Sequence, residues 1–414
     1  MNKSASVAKL LVVNANWVGI SFMWNALHPI VLPALLAPLV PEDSKNTYLG
    51  LLTFAGLLIA MLLQPISGAL SDRWVSRLGR RRPLMILGTV FDCVFLGILG
   101  WVGGIAWLFI GYIGLQISSN IAQGPLQGLL RDRVPIRQLG IASSIKVFVD
   151  LGSLVAASVV AGRLINTGRT AGSNIMLVVA ALLIASAAVT IVFTDEEPTR
   201  GPDRVLVRPQ LEAPMTLLSR AGYWWLIAER AAFLLGVYGL QAFGQYYIQD
   251  ALRVPDAPRA AGNLLAIIGM ATIALVLAAG WLSDRFGPKR LLHAASILTA
   301  TGMLLMVLIV DLRGLYAVGV IVGCGIGLFL TSNWALANRI APESEAGKFL
   351  GLTNLATAGA AALSRLEGPA LDALNAARPS QWLGYKGMFV FGAFCILQSA
   401  WFLGRVKSPP QPGG

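Results

Sequence analysis

Twelve apolar runs, each long enough to cross about 30 Å of hydrocarbon, take up most of the 414 residues. They fall near residues 10–36, 48–69, 84–103, 106–130, 139–161, 174–194, 222–246, 260–282, 290–311, 314–337, 347–365 and 385–404. Runs of this length leave two ways to satisfy the backbone in lipid, helices or a closed barrel. Continuous apolarity without period-two alternation selects helices. Composition agrees, since 56% of residues are hydrophobic and 13% charged, too few charges to coat a soluble protein of this size. The first run is too long for a signal-peptide core and is expected to remain as a span. The expected fold is therefore an all-α membrane protein with twelve transmembrane helices.

The longest polar stretch, residues 194–221, holds Asp195, Glu196, Glu197 and four arginines and divides the spans six and six. We expect an N-terminal six-helix bundle over 1–194, a linker over 195–221, a C-terminal bundle over 222–404 and a tail over 405–414. Of the 32 Lys and Arg residues, 21 lie in segments on the side of the termini and 9 on the other. The positive-inside rule then predicts both termini in the cytoplasm, most naturally at a plasma (inner) membrane. The net charge of +12 is spread among short loops, which argues against a nucleic-acid partner. Cys93, Cys324 and Cys395 all lie inside apolar runs and are expected as small core residues, with no metal site. There is no Walker sequence, no metal-ligand cluster and no nucleophile with a base, so neither an enzyme nor a cofactor is expected.

A charged segment occurs twice. Between spans two and three the chain reads Gly68-x-x-Ser71-Asp72-Arg73, followed by Gly79-Arg80-Arg81-Arg82-Pro83. Between spans eight and nine it reads Gly280-x-x-Ser283-Asp284-Arg285, followed by Gly287-Pro288-Lys289-Arg290. Ordinary positive-inside loops explain the arginines but not an Asp and a Gly at matched offsets in equivalent loops. Gly68 and Gly280 are expected to permit close helix approach. Asp72 and Asp284 are expected at the positive end of a helix in the opposite half, with Arg73, Arg80 and Arg285 beside them, as a cytoplasmic gate.

Polar residues recur at three- and four-residue steps in four spans. Span one carries Asn14, Trp17, Ser21, Trp24, Asn25 and His28; span four carries Gln116, Asn120, Gln123 and Gln127. Span seven carries Arg230, Tyr238, Gln241 and Gln245, and span ten Thr331, Asn333, Trp334 and Asn338. Amides also serve as glue between helices. Their recurrence at equivalent positions of the two halves favours a wet cavity lined by Trp24, Asn25, His28, Gln116, Asn120, Gln123, Arg230, Tyr238, Gln241, Gln245, Asn333 and Trp334. Amides with flanking indoles suit a neutral polyhydroxylated ligand. Five charges lie within spans: Asp92, Lys146, Asp150, Glu229 and Arg230. Lys146 and Asp150 are one turn apart and predicted to pair. The adjacent Glu229 and Arg230 point apart and are expected to need separate partners. One carboxylate is left over, which makes Asp92, Asp150 and Glu229 the proton-coupling candidates, against a purely structural ion-pair network.

The repeated loop and the twelve-span plan resemble the major facilitator superfamily. The longer form, Ser71-Asp72-Arg73-x-x-Ser76-Arg77-x-Gly79-Arg80-Arg81-Arg82-Pro83, is similar to the sucrose–proton symporters of the glycoside–cation symporter group. So is Asn120-x-x-Gln123-Gly124-Pro125-x-x-x-Leu129-x-x-Asp132, and more loosely Phe22-x-Trp24. The resemblance implies a monomeric secondary transporter working by alternating access, with a sugar or glycoside as its small-molecule substrate and protons as the coupling ion. It breaks at one point: eight residues before Gly124, where those symporters carry an Asp thought to couple the proton, this chain has Gln116. Either coupling has moved to another carboxylate or transport is not proton-driven. The alternatives are an exporter or facilitator of another small organic molecule, and a non-transporting assembly protein on the same fold.

Overall fold

The computed structural model describes residues 6–135, 138–165, 172–194, 196, 221–340 and 346–406. Apart from Glu196 and Ala221, the expected linker lies outside them, as does the C-terminal tail beyond residue 406. Among the described residues the chain is all-α, with twelve long helices. These are α1 (Val7–Leu39), α2 (Lys45–Asp72), α3 (Arg82–Trp101), α4 (Ile105–Arg133), α5 (Leu139–Leu164), α6 (Ser173–Phe193), α7 (Ala221–Asp250), α8 (Ala257–Phe286), α9 (Pro288–Met306), α10 (Leu312–Ile340), α11 (Ala346–Arg365) and α12 (Leu383–Arg405). Ten are long and apolar enough to cross a membrane on length and composition alone; α9 and α11 complete the set. A short helix the sequence did not suggest, Glu367–Ala377, sits between α11 and α12.

The helices form two compact units, residues 1–42 with 52–206 and residues 43–51 with 207–414. Inside unit 1, α1 packs on α5 and α6, and α3 packs on α4 and α6. Inside unit 2, α7 packs on α11 and α12, and α9 packs on α10 and α12. Adding six to each helix number converts one set of pairings into the other, so the two units repeat one design.

The start of α2, residues 43–51, groups with unit 2 and not with the rest of that helix. The first turns of α2 group with unit 2 because polar residues hold them there. Lys45, 2% exposed, lies 2.6 Å from Asp250 Oδ1, and Tyr385 donates to Asp250 Oδ2 at 2.6 Å. Asn46 Nδ2 donates to Asp372 Oδ1 at 2.7 Å. Asp372 Oδ2 accepts from the Thr47 backbone N–H at 2.6 Å and from its hydroxyl at 2.7 Å, which satisfies an open N–H of the helix's first turn. An apolar boundary search cannot see such a cluster, because Lys45 reads as an ordinary loop cation.

Two local devices shape the site. In α1 the i→i−4 ladder gives way to a π-helical turn over Leu27–Val31. Pro29 lies within it and lacks the N–H that a regular ladder would use. In the repeated loop, Gly79 and Gly287 both have positive φ, 92° and 83°, a region that favours glycine. The expected close approach at Gly68 is present: it faces Gly124, and a Cβ added at Gly124 would lie 2.5 Å from Gln64 O and Gly68 N. Gly280 corrects the same expectation for the second copy. Nothing among the described residues lies within 4 Å of a Cβ built there, so this glycine lines no tight helix contact.

Gly124→Val is therefore expected to lower the unfolding temperature in detergent by several degrees, since overpacking of this kind costs about 1–3 kcal/mol. Gly280→Ala should change stability by no more than about 0.5 kcal/mol. Equal losses at the two positions would contradict this packing.

Candidate functional site

The unit 1 face is built from α1, α4 and α5. The π turn presents His28 beside Trp24, their rings stacked with centroids 4.9 Å apart. His28 Nε2 lies 3.1 Å from Tyr112 Oη and 3.3 Å from Gln116 Nε2. Gln116 Nε2 donates to Tyr112 Oη at 2.8 Å, while Gln116 Oε1 accepts from Asn120 Nδ2 at 3.3 Å. One turn further along α4, Gln123 donates to Ser119 Oγ at 2.9 Å and accepts from Gln64 Nε2 of α2 at 3.2 Å. The amides thus hold one another in fixed orientations, and Trp24, Asn25 and His28 keep part of their surface open. Gln127, last in the predicted stripe, is exposed. Tyr112 and Gln64 were missed; Tyr112 is legible once the four-residue step is extended back from Gln116.

The charged part of this face lies on α5. Lys146 Nζ is 3.0 Å from Asp150 Oδ2, as their spacing predicts, and sits 4.2 Å from the Trp17 ring centroid. Ser21 donates to Asp150 Oδ1 and Asn25 Nδ2 reaches the Asp150 carbonyl at 3.5 Å. Asp92 is elsewhere. It is 1% exposed and accepts from Ser118 of α4. Ser118 lies about 200° around the helix from Gln116, so α4 separates Asp92 from the stripe.

In unit 2, Asn333 of α10 joins the two charges of α7. Its Nδ2 donates to Glu229 Oε2 at 2.7 Å and its Oδ1 accepts from Arg230 Nη1 at 2.7 Å. This corrects the expectation of separate partners: a carboxamide carries a donor and an acceptor on one planar group and serves both. Arg230 Nε also donates to Thr357 Oγ1 of α11 at 3.0 Å, and its guanidinium lies 6.0 Å from the Trp334 ring. Thr357 was missed, as a lone hydroxyl in an apolar run gives no periodic signal. Tyr238 and Gln241 are half-buried on the same helix, and Gln245 is buried.

The first copy of the charged loop is knitted together within unit 1. Buried Arg81 lies 2.5 Å from Asp72 and 3.0 Å from Asp132, and Arg80 lies 2.9 Å from Asp132. The Arg81 and Arg82 backbone N–H groups donate to Glu196 at 2.7 and 3.2 Å. Asp72 thus has an ion-pair partner, Arg81, nine residues on in the same unit. Arg73 is exposed. In the second copy Asp284 is exposed, and Arg285 lies over the rings of Trp281 and Phe286 at 5.4 and 5.5 Å.

With this geometry in place, comparison with known proteins is informative. The profile of the Major Facilitator Superfamily matches residues 12–364, and the chain belongs to that family. A sucrose transport protein of Arabidopsis thaliana, SUC4, is 31% identical over 140 residues, which is 30% of this chain and 26% of that protein. Several of the curated relatives are thus matched over only about a quarter of their length. The class D tetracycline resistance protein of Salmonella ordonez is 26% identical over 371 residues, 86% of this chain and 87% of that one. Among solved structures, a bacterial homologue of the human lysosomal transporter Spinster superposes with a TM-score of 0.73 at 16% identity, over 97% of both chains.

Three substitutions test the networks. Asp132→Asn should cost about 1.5–3 kcal/mol, because it weakens the ties of two arginines, one of them buried. Asp72→Asn, at a half-exposed carboxylate, should cost under about 1 kcal/mol in the same thermal-unfolding assay. Asn333→Leu should cost about 3–5 kcal/mol, since it strands two buried charges at once; an unchanged unfolding temperature would refute the bridging role.

Proposed function

We propose that the protein is a secondary transporter for a neutral polyhydroxylated solute, a sugar or glycoside, moved by alternating access together with a proton. The observation that carries this reading is the unit 1 face, where an indole stacked on an imidazole adjoins amides of fixed orientation. Stacked rings suit the apolar side of a sugar ring and oriented amides suit its hydroxyls. In this reading Trp24, Asn25, His28, Gln116, Asn120 and Gln123 contact the solute from unit 1. Arg230, Tyr238, Gln241, Gln245, Asn333 and Trp334 do so from unit 2. Asp150 and Glu229 are the stronger proton-coupling candidates, since Asp150 touches Ser21 and Asn25 of the α1 stripe and Glu229 touches Asn333 of the α10 stripe, whereas Asp92 lies behind α4.

The charged loops belong to the gate on the side of the termini. There Asp72, Arg80, Arg81 and Asp132 form one state's closed network, and Gly68, Arg73, Asp284 and Arg285 move with it. Both termini are cytoplasmic, and the protein works as a monomer in the plasma membrane. The similarity to a sucrose transport protein, confined to 140 residues, supports the solute class. The longer match to a tetracycline resistance protein supports the second reading, export of another small organic molecule.

Uptake into proteoliposomes across a panel of mono- and disaccharides, with and without an inward proton gradient, tests the first reading. At least one sugar should accumulate only with the gradient, and Trp24→Ala should raise its KM by about tenfold, the loss of one stacking contact. Gradient-independent traffic of every sugar would sink symport, and absence of all sugar uptake would leave export in possession.

A further inference from the structure

We propose that Glu367 is a further proton-binding site, its carboxyl seated as the neutral acid in a glycine notch of α7 and its charge governing Arg365 beside the solute stripe. Its part in transport rests on the reading of the protein as a proton-driven transporter. Glu367 opens the short helix that follows α11. The notch is Gly239 of α7, where a Cβ would lie 2.6 Å from Glu367 Oε2 and 3.2 Å from both its Cδ and its Oε1. The carboxyl therefore lies against the α7 backbone in space that any other residue would fill.

The chain around Glu367 is held from a second side. A Cβ at Gly50 of α2 would collide with the Arg365 carbonyl, and one at Gly368 with the Asn46 carbonyl. Asp372 of the short helix in turn holds Asn46 and Thr47. All of these residues belong to unit 2. The backbone at 365–368 is thus seated on the first turns of α2, and the Glu367 side chain must meet α7 as it finds it.

What it finds there is no donor. Glu367 Oε2 is buried without a hydrogen-bond partner among the described residues. The α7 backbone supplies none, because a helix interior spends its N–H groups on its own ladder. An ionised Glu367 would keep a charged oxygen unsolvated in this seat, which is costly, and a proton removes that cost. Burial accordingly pushes the Glu367 carboxyl up to about 8, against the pull of Arg365.

Arg365 connects the site to the α7 stripe. It is 4% exposed, and its charge acts on Glu367 and on Tyr238, the residue before Gly239. Loss of the proton creates a carboxylate that Arg365 attracts, which draws Glu367 from the notch and shifts the cation relative to Tyr238. The proton comes from water and returns to it; no other bond is made or broken. The remaining titratable groups on the elements packed around Glu367 are engaged elsewhere or carry no charge of their own here. Lys45 of α2 and Tyr385 of α12 both meet Asp250 of α7 at 2.6 Å. Arg230 of α7 is bound to Asn333 and Thr357. Cys395 of α12 lies within reach of the Glu367 charge, and Tyr246 of α7 within reach of Asp250 and Asp372.

Infrared spectra of the full-length protein in nanodiscs, recorded from about pH 5 to 9, isolate this carboxyl as the wild-type minus Glu367→Gln difference. The expected difference is a protonated-acid band that shifts in D2O and fades with a midpoint of about 8. Gly239→Ala gives the second measurement. Its added Cβ meets the far end of a flexible side chain, so α7 keeps its shape while the carboxyl is pushed out. The midpoint should then fall by about one pH unit or more, a tenfold loss of proton affinity. In proteoliposomes, Glu367→Gln should lower gradient-driven accumulation of the transported sugar about tenfold and leave gradient-free sugar exchange intact.

An absent acid band, or a midpoint that Gly239→Ala leaves in place, overturns the proton site even if sugar is carried. Undiminished gradient-driven accumulation by Glu367→Gln overturns its part in transport. A band that titrates and responds to Gly239→Ala in a protein that carries no sugar upholds the site and overturns the solute reading instead. If Glu367→Gln does not fold, the band is assigned by its shift in Gly239→Ala and in Glu367→Asp, whose shorter side chain should also withdraw from the notch and titrate at lower pH.

Discussion

Hydrocarbon offers no partner to a polar group, and this constraint organises the structure more than any single contact. A charge buried in the helices is costly unless polar groups of the chain meet it, and the contacts found fix which helices touch. Glu229 and Arg230 meet through Asn333, which ties α7 to α10 at one point. Lys45 meets Asp250, which seats the start of α2 against the end of α7. Arg81 draws the ends of α2 and α4 together through Asp72 and Asp132. Buried pairs of this kind add little net stability relative to an apolar pair, but breaking one is costly. They specify register more than strength.

Such specification explains what was legible in the sequence. Span number and helix class follow from run length and composition, because lipid leaves no other way to satisfy the backbone. The amide stripes of α1, α4, α7 and α10 were legible because a helix repeats every 3.6 residues and polar residues in lipid are rare enough to stand out. The Lys146–Asp150 pair was legible for the same reason. Gly124 was legible as part of a motif, and its tight seat against Ser67 and Gly68 gives that motif a packing cause.

The remainder depended on contacts between residues distant in the chain. Nothing near Lys45 in sequence announces Asp250 or Tyr385. Asn333 was marked as polar, but not as the one group able to serve both Glu229 and Arg230, since that depends on the rotation of α10 against α7. The motif around Asp72 does not by itself announce its ion pair with Arg81, nine residues on in the same unit. The π turn left a trace only in Pro29, which predicts a disturbed ladder but not that the disturbance adds a residue and turns His28 toward Tyr112.

Charge balance on each polar face bears on the class of solute. On the unit 1 face Lys146 and Asp150 cancel, and the substitution of Gln116 for a carboxylate leaves α4 neutral along its stripe. In unit 2, Glu229 and Arg230 cancel through Asn333. Asp92, which lacks a cation among the described residues, is kept behind α4 on Ser118. An ionic solute would need a countercharge at its site, because a desolvated charge without one is expensive. A neutral solute with many hydroxyls needs oriented donors and acceptors, and the amide chain from Gln64 through Gln123 and from Asn120 through Gln116 provides them.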